Sequence, residues 1–207
     1  MQHLPRIKNI VFDFGGVIIN IDYLRTIRSF RELGIPDFEE QYSKMKQSNL
    51  FDEFEKGLIS AAEFRNRIRK ISNTGLTDEQ IDDAWNSILI NLPEVNIRFL
   101  ESLKGDYKIF LLSNTNEIHE RAFTEMICRQ FGEDVLKRTF DNVYFSHHLK
   151  MRKPEPGIFE YVLNENNLVA DETLFVDDSF QHIEGARKIG LKTFYFETGK
   201  TLPDIFS

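Results

Sequence analysis

The sequence predicts an α/β fold: a doubly wound parallel sheet with a small all-helical segment inserted after its first strand. Three observations carry that prediction. Short apolar runs rich in Val, Ile, Phe and Tyr recur without clean alternation, as strands covered on both faces do. Amphipathic helical patterns separate the later runs, and strand–helix–strand alternation implies parallel pairing with right-handed crossovers. Between the first run and the second, only helical patterning appears.

The first strand run is "NIVFDF" (9–14). Helical signals then fill the chain up to about Tyr107. Ser60-x-x-Glu63 and Thr77-x-x-Gln80 read as capping boxes. Phe51, Phe54, Leu58, Phe64 and Ile68 recur at helical spacing and read as core. The later strand runs are "YKIFLLS" (107–113), "NVYFSH" (142–147), "TLFVDD" (173–178) and "KTFYFE" (192–197). Among them lie the helical stretches "EIHERAFTEMICRQF", "EPGIFEYVLNEN" and "SFQHIEGARKIG", the last closed by Gly190 as a helix C-cap. The expected division is a core of residues 1–19 and 92–207 and a helical domain of residues 20–91.

Of the 207 residues, 41% are hydrophobic and 29% charged, which opposes wholesale disorder. A net charge of −7 and a pI of about 5.3 count against sequence-independent binding of nucleic acid. The basic run "FRNRIRK" (Arg65, Arg67, Arg69, Lys70) is followed by Asp78, Glu79, Asp82 and Asp83 and reads as a solvated helix face. The single cysteine, Cys128, permits no intramolecular disulfide and is expected to be a buried structural thiol in a reducing compartment. No apolar run approaches the roughly 18 residues of a spanning helix, and "MQHLPRIKNIVF" carries no long apolar h-region, so no secretory signal is expected. The expected location is the cytoplasm, with neither a membrane nor a nucleic acid as partner.

In open α/β sheets, ligands bind beyond the carboxyl ends of the strands. The first strand ends in Asp13, with Gly15 and Gly16 just after it. The second ends in Ser113, followed by Asn114-Thr115-Asn116; Lys153 stands in "MRKPEPGIF"; the fourth strand ends in Asp177-Asp178-Ser179. Each alone has an ordinary reading as a cap, a turn residue or a surface charge. Their order and placement join them. Adjacent carboxylates repel, so a pair at a buried strand end calls for a cation. Mg²⁺ takes a few oxygen ligands, and Asp13, Asp178, the Gly15 carbonyl and Asp177, directly or through water, can supply them. Gly15 and Gly16 let the backbone approach a phosphate, whose oxygens the N–H groups of the loops, Asn114 included, can hold. Ser113 can donate to a phosphoryl oxygen and Lys153 can neutralise it. Asp13 is then free to attack phosphorus.

"FDFGGV", "LLSNTN", "MRKPEPGIF" and "LFVDDS" resemble, in order, the four motifs of the haloacid dehalogenase-like (HAD) hydrolase superfamily, and the helical insertion resembles its small C1-type cap. "VIINID", "LSNTNEIH", "MRKPE" and "DDSFQHIEGA" are most similar to bacterial α-D-glucose-1-phosphate phosphatases of the sugar-phosphatase group. The resemblance implies a Rossmann-like core and a Mg²⁺-dependent phosphatase acting on a small phosphorylated sugar. It implies Asp13 as nucleophile, Ser113 and Lys153 as phosphate binders, and Asp178 with Asp177 as magnesium carboxylates. Most phosphatases of the superfamily carry a second aspartate two positions after the nucleophile, as acid and base. Here that position is Gly15. General acid–base help is worth about 10²–10⁴-fold, so the role is open, with water or a group such as Asp22 as its bearer.

Two other readings stay open: a 2-haloacid dehalogenase using Asp13 on carbon without metal, and a non-enzymatic binding protein on the same fold. The paired Asp177-Asp178 favours metal and phosphate. No G-x-G-x-x-G or G-x-x-x-x-G-K-[ST] supports a dinucleotide or P-loop site. Tyr23, Arg25, Tyr42, Lys44 and Trp85 are candidate sugar contacts. His147 and His148, on a strand end, are expected to face opposite ways and form no joint metal site, with His148 bordering the pocket. His182 can tune the metal surroundings or sit on a helix surface.

Overall fold

The computed structural model describes residues 6–40, 49–73, 75–197 and 199–205. Strand β1 (Asn9–Phe12) leads to a short strand β2 (Asn20–Ile21). Helices α1 (Tyr23–Glu32), α2 (Leu50–Glu55), α3 (Ala61–Ser72) and α4 (Asp78–Asn86) follow, then β3 (Leu89–Asn91) and α5 (Glu94–Leu103). The remaining chain alternates: β4 (Lys108–Ser113), α6 (Glu117–Phe131), α7 (Val135–Thr139), β5 (Asn142–Phe145), a helical turn α8 (Ser146–Leu149), α9 (Pro156–Glu165), β6 (Thr173–Asp177), α10 (Phe180–Lys188), β7 (Lys192–Tyr195) and α11 (Leu202–Ile205).

Five strands form one parallel sheet in the order β5-β4-β1-β6-β7. β1 is central, and the chain winds first to one side of it and then to the other. Alternate residues of β1 and β4 enter separate cores. Ile10, Phe12, Ile109 and Leu111 pack with Leu100, Phe123 and Phe140 on one face. Val11, Phe110 and Leu112 pack with Phe159, Phe175 and Ile183 on the other. Because both faces are covered, the strands read as unbroken apolar runs. A third cluster, with Phe30, Phe54, Phe64, Ile81 and Trp85, lies within the inserted helices. Stacked rings organise it, Phe54 on Phe64 at 4.3 Å and Phe51 on Trp85 at 5.3 Å between centroids.

Several details differ from the sequence expectation. The insertion is joined through an antiparallel ribbon, β2 with β3, that is too short for a sequence period to reveal. Leu58 is 60% exposed, because α2 ends at Glu55 and Leu58 falls in the turn beyond it. Cys128 is exposed rather than buried. Helix α6 buries Ile118, Phe123 and Ile127, and Cys128 lies one residue, about 100°, further round the helix. Thr77 and Gln80 form a reciprocal capping box. Ser60 accepts from Glu63 N, but the Glu63 carboxylate bonds Arg67 Nε at 2.9 Å instead of reaching back. The basic run is matched by acids, with Arg65 on Asp82 at 2.7 Å and Arg67 on Glu53 at 2.7 Å. No helix among the described residues is long and apolar enough to cross a membrane.

Helix α10 packs so closely on the loop carrying Lys153 that a Cβ at Gly185 would lie 2.5 Å from the Pro154 carbonyl oxygen. Gly185→Ala gains about 1 kcal/mol of helix propensity. Overpacking against a backbone atom costs about 1–3 kcal/mol. We therefore expect a net loss of stability, read as a lower urea midpoint at unchanged m-value. A midpoint equal to or above wild type would show that the loop yields without strain.

Candidate active site

The carboxyl ends of β1, β4 and β6 bring the sequence candidates together. Register places Phe12 beside Leu111 on one side and Val176 on the other, so Asp13 emerges next to Asp177. Asp13 N donates to Val176 O at 2.8 Å, continuing the ladder. Lys153 arrives on the loop before α9 and is fully buried. Its Nζ donates to Asp13 Oδ1 and to Asp177 Oδ2, both at 2.7 Å. The Phe175 ring lies 5.4 Å from the same ammonium.

Burial works against the Lys153 ammonium, but Asp13 and Asp177 outweigh it and hold its pKa above the ordinary value. Burial, joined by the charge of Asp177, pushes the Asp13 carboxyl up in spite of Lys153. Burial opposes ionisation of Asp177 as well, yet Lys153 and His182 outweigh it and keep its pKa low. Both Asp177 oxygens are engaged: Oδ1 accepts from Ser179 N at 2.7 Å, and His182 Nδ1 lies 3.0 Å from each. His182 is thus half-buried against Asp177 rather than a free surface ring.

Asp178 is different. Burial, then Asp13 and Asp177, push its carboxyl up to about 7. It sits over the loop after β1, where a Cβ at Gly16 would fall on its Oδ2. Gly16 also has φ +80°, so both backbone and packing require glycine there. Three carboxylates around one lysine leave surplus negative charge in a hard, all-oxygen donor set. That is the chemistry a divalent magnesium ion fits.

Asp13 and Asp178 line a cavity of about 530 Å³ between the sheet edge and the inserted helices, with Lys153 and Asp177 fully buried behind them. Ser113 lines it, with Oγ 3.4 Å from Asn114 O. The Asn114 side chain is committed to the Lys153 backbone, donating to its O and accepting from its N, each at 2.9 Å. Any contact of Asn114 with a phosphate therefore falls to its backbone. Where the missing side chain at Gly15 would start, Ile21 Cδ1 stands 3.3 Å away.

Of the candidate sugar contacts, Tyr23 and Trp85 line this cavity. Arg25 is exposed and is not among its lining residues, and Tyr42 and Lys44 lie outside the described residues. Asp22 is not in the cavity wall either. It caps α1, its Oδ1 accepting from Leu24 N at 2.9 Å. His148 borders a different cavity, together with His147.

The structure adds residues that pattern reading missed. Glu55 and Asp52 on α2 line the cavity from the insertion, and Arg152 faces them from the core. Arg152 NH1 bonds Asp52 Oδ1 at 2.6 Å, and its NH2 lies 2.9 Å from Glu55 Oε2 without hydrogen-bond alignment. Burial holds the Glu55 carboxyl above its ordinary value despite Arg152. His119 stacks on Trp85 with centroids 5.1 Å apart, its Nε2 3.2 Å from Trp85 O. Burial lowers its pKa to about 4, so the ring is a neutral wall at pH 7. The one sequence signal for Arg152 was its neighbour Lys153; Glu55 lies among helical charges that look alike.

A haloacid dehalogenase-like hydrolase model matches residues 7–190. A D-ribitol-5-phosphate phosphatase from Bacteroides thetaiotaomicron is 34% identical over 195 residues, 93% of each chain. A glyceraldehyde 3-phosphate phosphatase from Pyrococcus abyssi is 26% identical over 94% of this chain and 83% of that one. The crystal structure of a HAD family enzyme from B. thetaiotaomicron, in complex with magnesium and inorganic phosphate, has a TM-score of 0.86. It is 36% identical and covers 97% of this chain and 100% of that chain.

The raised pKa of Asp178 has a stability consequence. A carboxyl titrating near 7 when folded and near 3.8 when unfolded holds its proton better in the fold. Its contribution is fully present below pH 3.8 and is lost as pH rises through 7. In EDTA, the wild-type Tm is expected to fall more steeply from pH 5 to 8 than that of Asp178→Asn. Parallel curves would remove the assigned charge repulsion.

Proposed function

The chain belongs to the haloacid dehalogenase-like hydrolase family, and from that membership we propose that it is a magnesium-dependent phosphomonoesterase for a small sugar or polyol phosphate. The observation that carries the proposal is the buried Lys153 ammonium shared by Asp13 and Asp177, with Asp178 beside them at the cavity floor.

Each residue then has a task. Lys153 holds Asp13 Oδ1, and no described group bonds Asp13 Oδ2. That oxygen attacks phosphorus, forming an aspartyl-phosphate as the bond from phosphorus to the substrate's alkoxide oxygen breaks. Ser113, Lys153 and the loop N–H groups at Gly15 and Asn114 hold the phosphoryl oxygens, whereas Gly16 N, expected from the sequence to join them, donates to Ile19 O at 2.9 Å. Water then attacks phosphorus, inorganic phosphate leaves and Asp13 is restored. Magnesium, held by Asp13, Asp178, the Gly15 carbonyl and, through water, Asp177, would supply charge neutralisation for the phosphoryl group. The surplus of carboxylates favours this reading over metal-free attack on carbon. We take residues 20–91 as a cap that closes over a core of 1–19 and 92–207.

The leaving alkoxide needs a proton that Gly15 cannot give. We assign this to Glu55, the half-buried cap carboxyl that lines the cavity and whose pKa burial holds above the ordinary value. It gives the proton to the alkoxide and takes one back from the attacking water. The relatives' names favour an acyclic substrate such as D-ribitol 5-phosphate over D-glucose 1-phosphate, and an alkoxide of that kind is a poor leaving group that needs an acid.

A panel of D-ribitol 5-phosphate, glyceraldehyde 3-phosphate and D-glucose 1-phosphate, assayed with Mg²⁺ and with EDTA, tests the reaction class. Phosphate release should require Mg²⁺ and fall to background in Asp13→Asn; release that survives either change would refute the nucleophile or the metal. Glu55→Gln should slow single-turnover release of the alcohol from D-ribitol 5-phosphate by about 10²–10⁴-fold and spare the same step with p-nitrophenyl phosphate, whose leaving group needs no proton. Equal losses in that first step on both esters would make Glu55 structural.

A further inference from the structure

A second cluster of imidazole and carboxylate side chains lies away from the active-site cavity. His147 and His148 sit in the single helical turn α8, not on the end of a strand. Neighbours on a strand diverge to opposite faces, whereas neighbours in a helix are about 100° apart. The turn therefore aims both rings at Glu120 on α6. His147 Nε2 is 2.8 Å and His148 Nε2 3.0 Å from the same oxygen, Glu120 Oε2. The ring centroids are 4.2 Å apart, and the three donor atoms lie within 4.8 Å of one another.

We propose that Glu120, His147 and His148 form a site for one divalent transition-metal ion of the zinc type, independent of the active-site cation. Two imidazole nitrogens and one carboxylate suit zinc and its neighbours in the series, whereas magnesium and calcium prefer oxygen alone. Zinc binds histidine nitrogen at about 2.0–2.1 Å and carboxylate oxygen at about 2.0–2.2 Å, which sets tetrahedral ligands about 3.3 Å apart. The present 2.8 and 3.0 Å separations need to widen by only a few tenths of an ångström. Glu120 is only half-buried and is free to make that adjustment. In the present arrangement each Nε2 donates its proton to Glu120 Oε2; on metal binding that proton moves to Nδ1, and His147 Nδ1 has no described partner that opposes the exchange. The donor set is anchored from both sides, by His147 at 7% and Glu120 at 27% side-chain exposure, while His148 at 57% leaves an entry path. A fourth ligand, water, can come from the adjoining cavity of about 440 Å³.

The competing reading is a carboxylate that only accepts hydrogen bonds from two rings. Zn²⁺ titration by calorimetry, with saturating Mg²⁺ and inorganic phosphate on the active site, separates the two. One Zn²⁺ per chain should bind, survive in Asp13→Asn, and weaken in His148→Ala and in Glu120→Gln. Loss of an outer hydrogen-bond partner alone costs about 10–100-fold in metal affinity, so loss of a ligand should cost at least as much. Co²⁺ in place of Zn²⁺ should give the visible absorption of a four-coordinate ion, absent in His148→Ala. His148 is exposed, so its replacement leaves the fold intact. No Mg²⁺-resistant Zn²⁺ binding, or binding unchanged in both variants, would overturn the site.

Discussion

An ammonium with no solvent contact, held 2.7 Å from each of two carboxylates, is the constraint around which this molecule is organised. Removing a lysine's charge from water costs several kcal/mol, and a buried pair broken by losing one partner costs about 3–5 kcal/mol. Lys153, Asp13 and Asp177 therefore stand or fall together. Meeting that constraint fixes much else. Asn114 must clamp the Lys153 backbone at both N and O, and α10 must approach closely enough that only glycine fits at Gly185. His182 and Ser179 N occupy the far side of Asp177. What remains uncompensated is the charge of Asp178, and a carboxylate costly to ionise by itself is well prepared to meet a cation.

The sheet order turns this local cluster into a site. With β1 central, its two neighbours end level with it, and the chain leaves in opposite directions from the two sides. Such a point opens a crevice at the carboxyl ends of the strands. Here the crevice receives Asp13 from β1, Ser113 from β4 and Asp177 from β6. The insertion departs just after β1 and returns before β4, tied by the β2–β3 ribbon, so its helices overhang the same crevice. Ile21 of that ribbon stands beside Gly15. The place where a second aspartate would project is thus walled by an apolar residue, and acidic groups enter from α2 instead.

Contact between insertion and core is both apolar and polar: Trp85 stacks on His119, and Ile118 of α6 joins the insertion's cluster. Arg152 reaches Asp52 and Glu55, Ser146 Oγ donates to Glu55 O at 2.6 Å, and Ala61 N donates to Glu117. By contrast, the insertion's interior is a stack of aromatic rings.

The sequence by itself determined the five sheet strands, the helices between them and the convergence of Asp13, Ser113, Lys153 and Asp177-Asp178. Strand ends are local signals: an apolar run that stops at a polar residue is visible within a few positions, and parallel α/β topology sends every such end to the same edge. Tertiary structure alone decided what depends on pairings distant in the chain. Asn114 faces the Lys153 backbone, Glu55 meets Arg152 at the cavity wall, and Cys128 faces outward because Ile127 faces in. Asp22 looked like a cap-side acid but spends its carboxylate on the start of α1. His147 and His148 changed meaning because one turn of helix replaced one step of strand. Side-chain direction depends on backbone twist at that point, and four residues are too few for a sequence period to declare it.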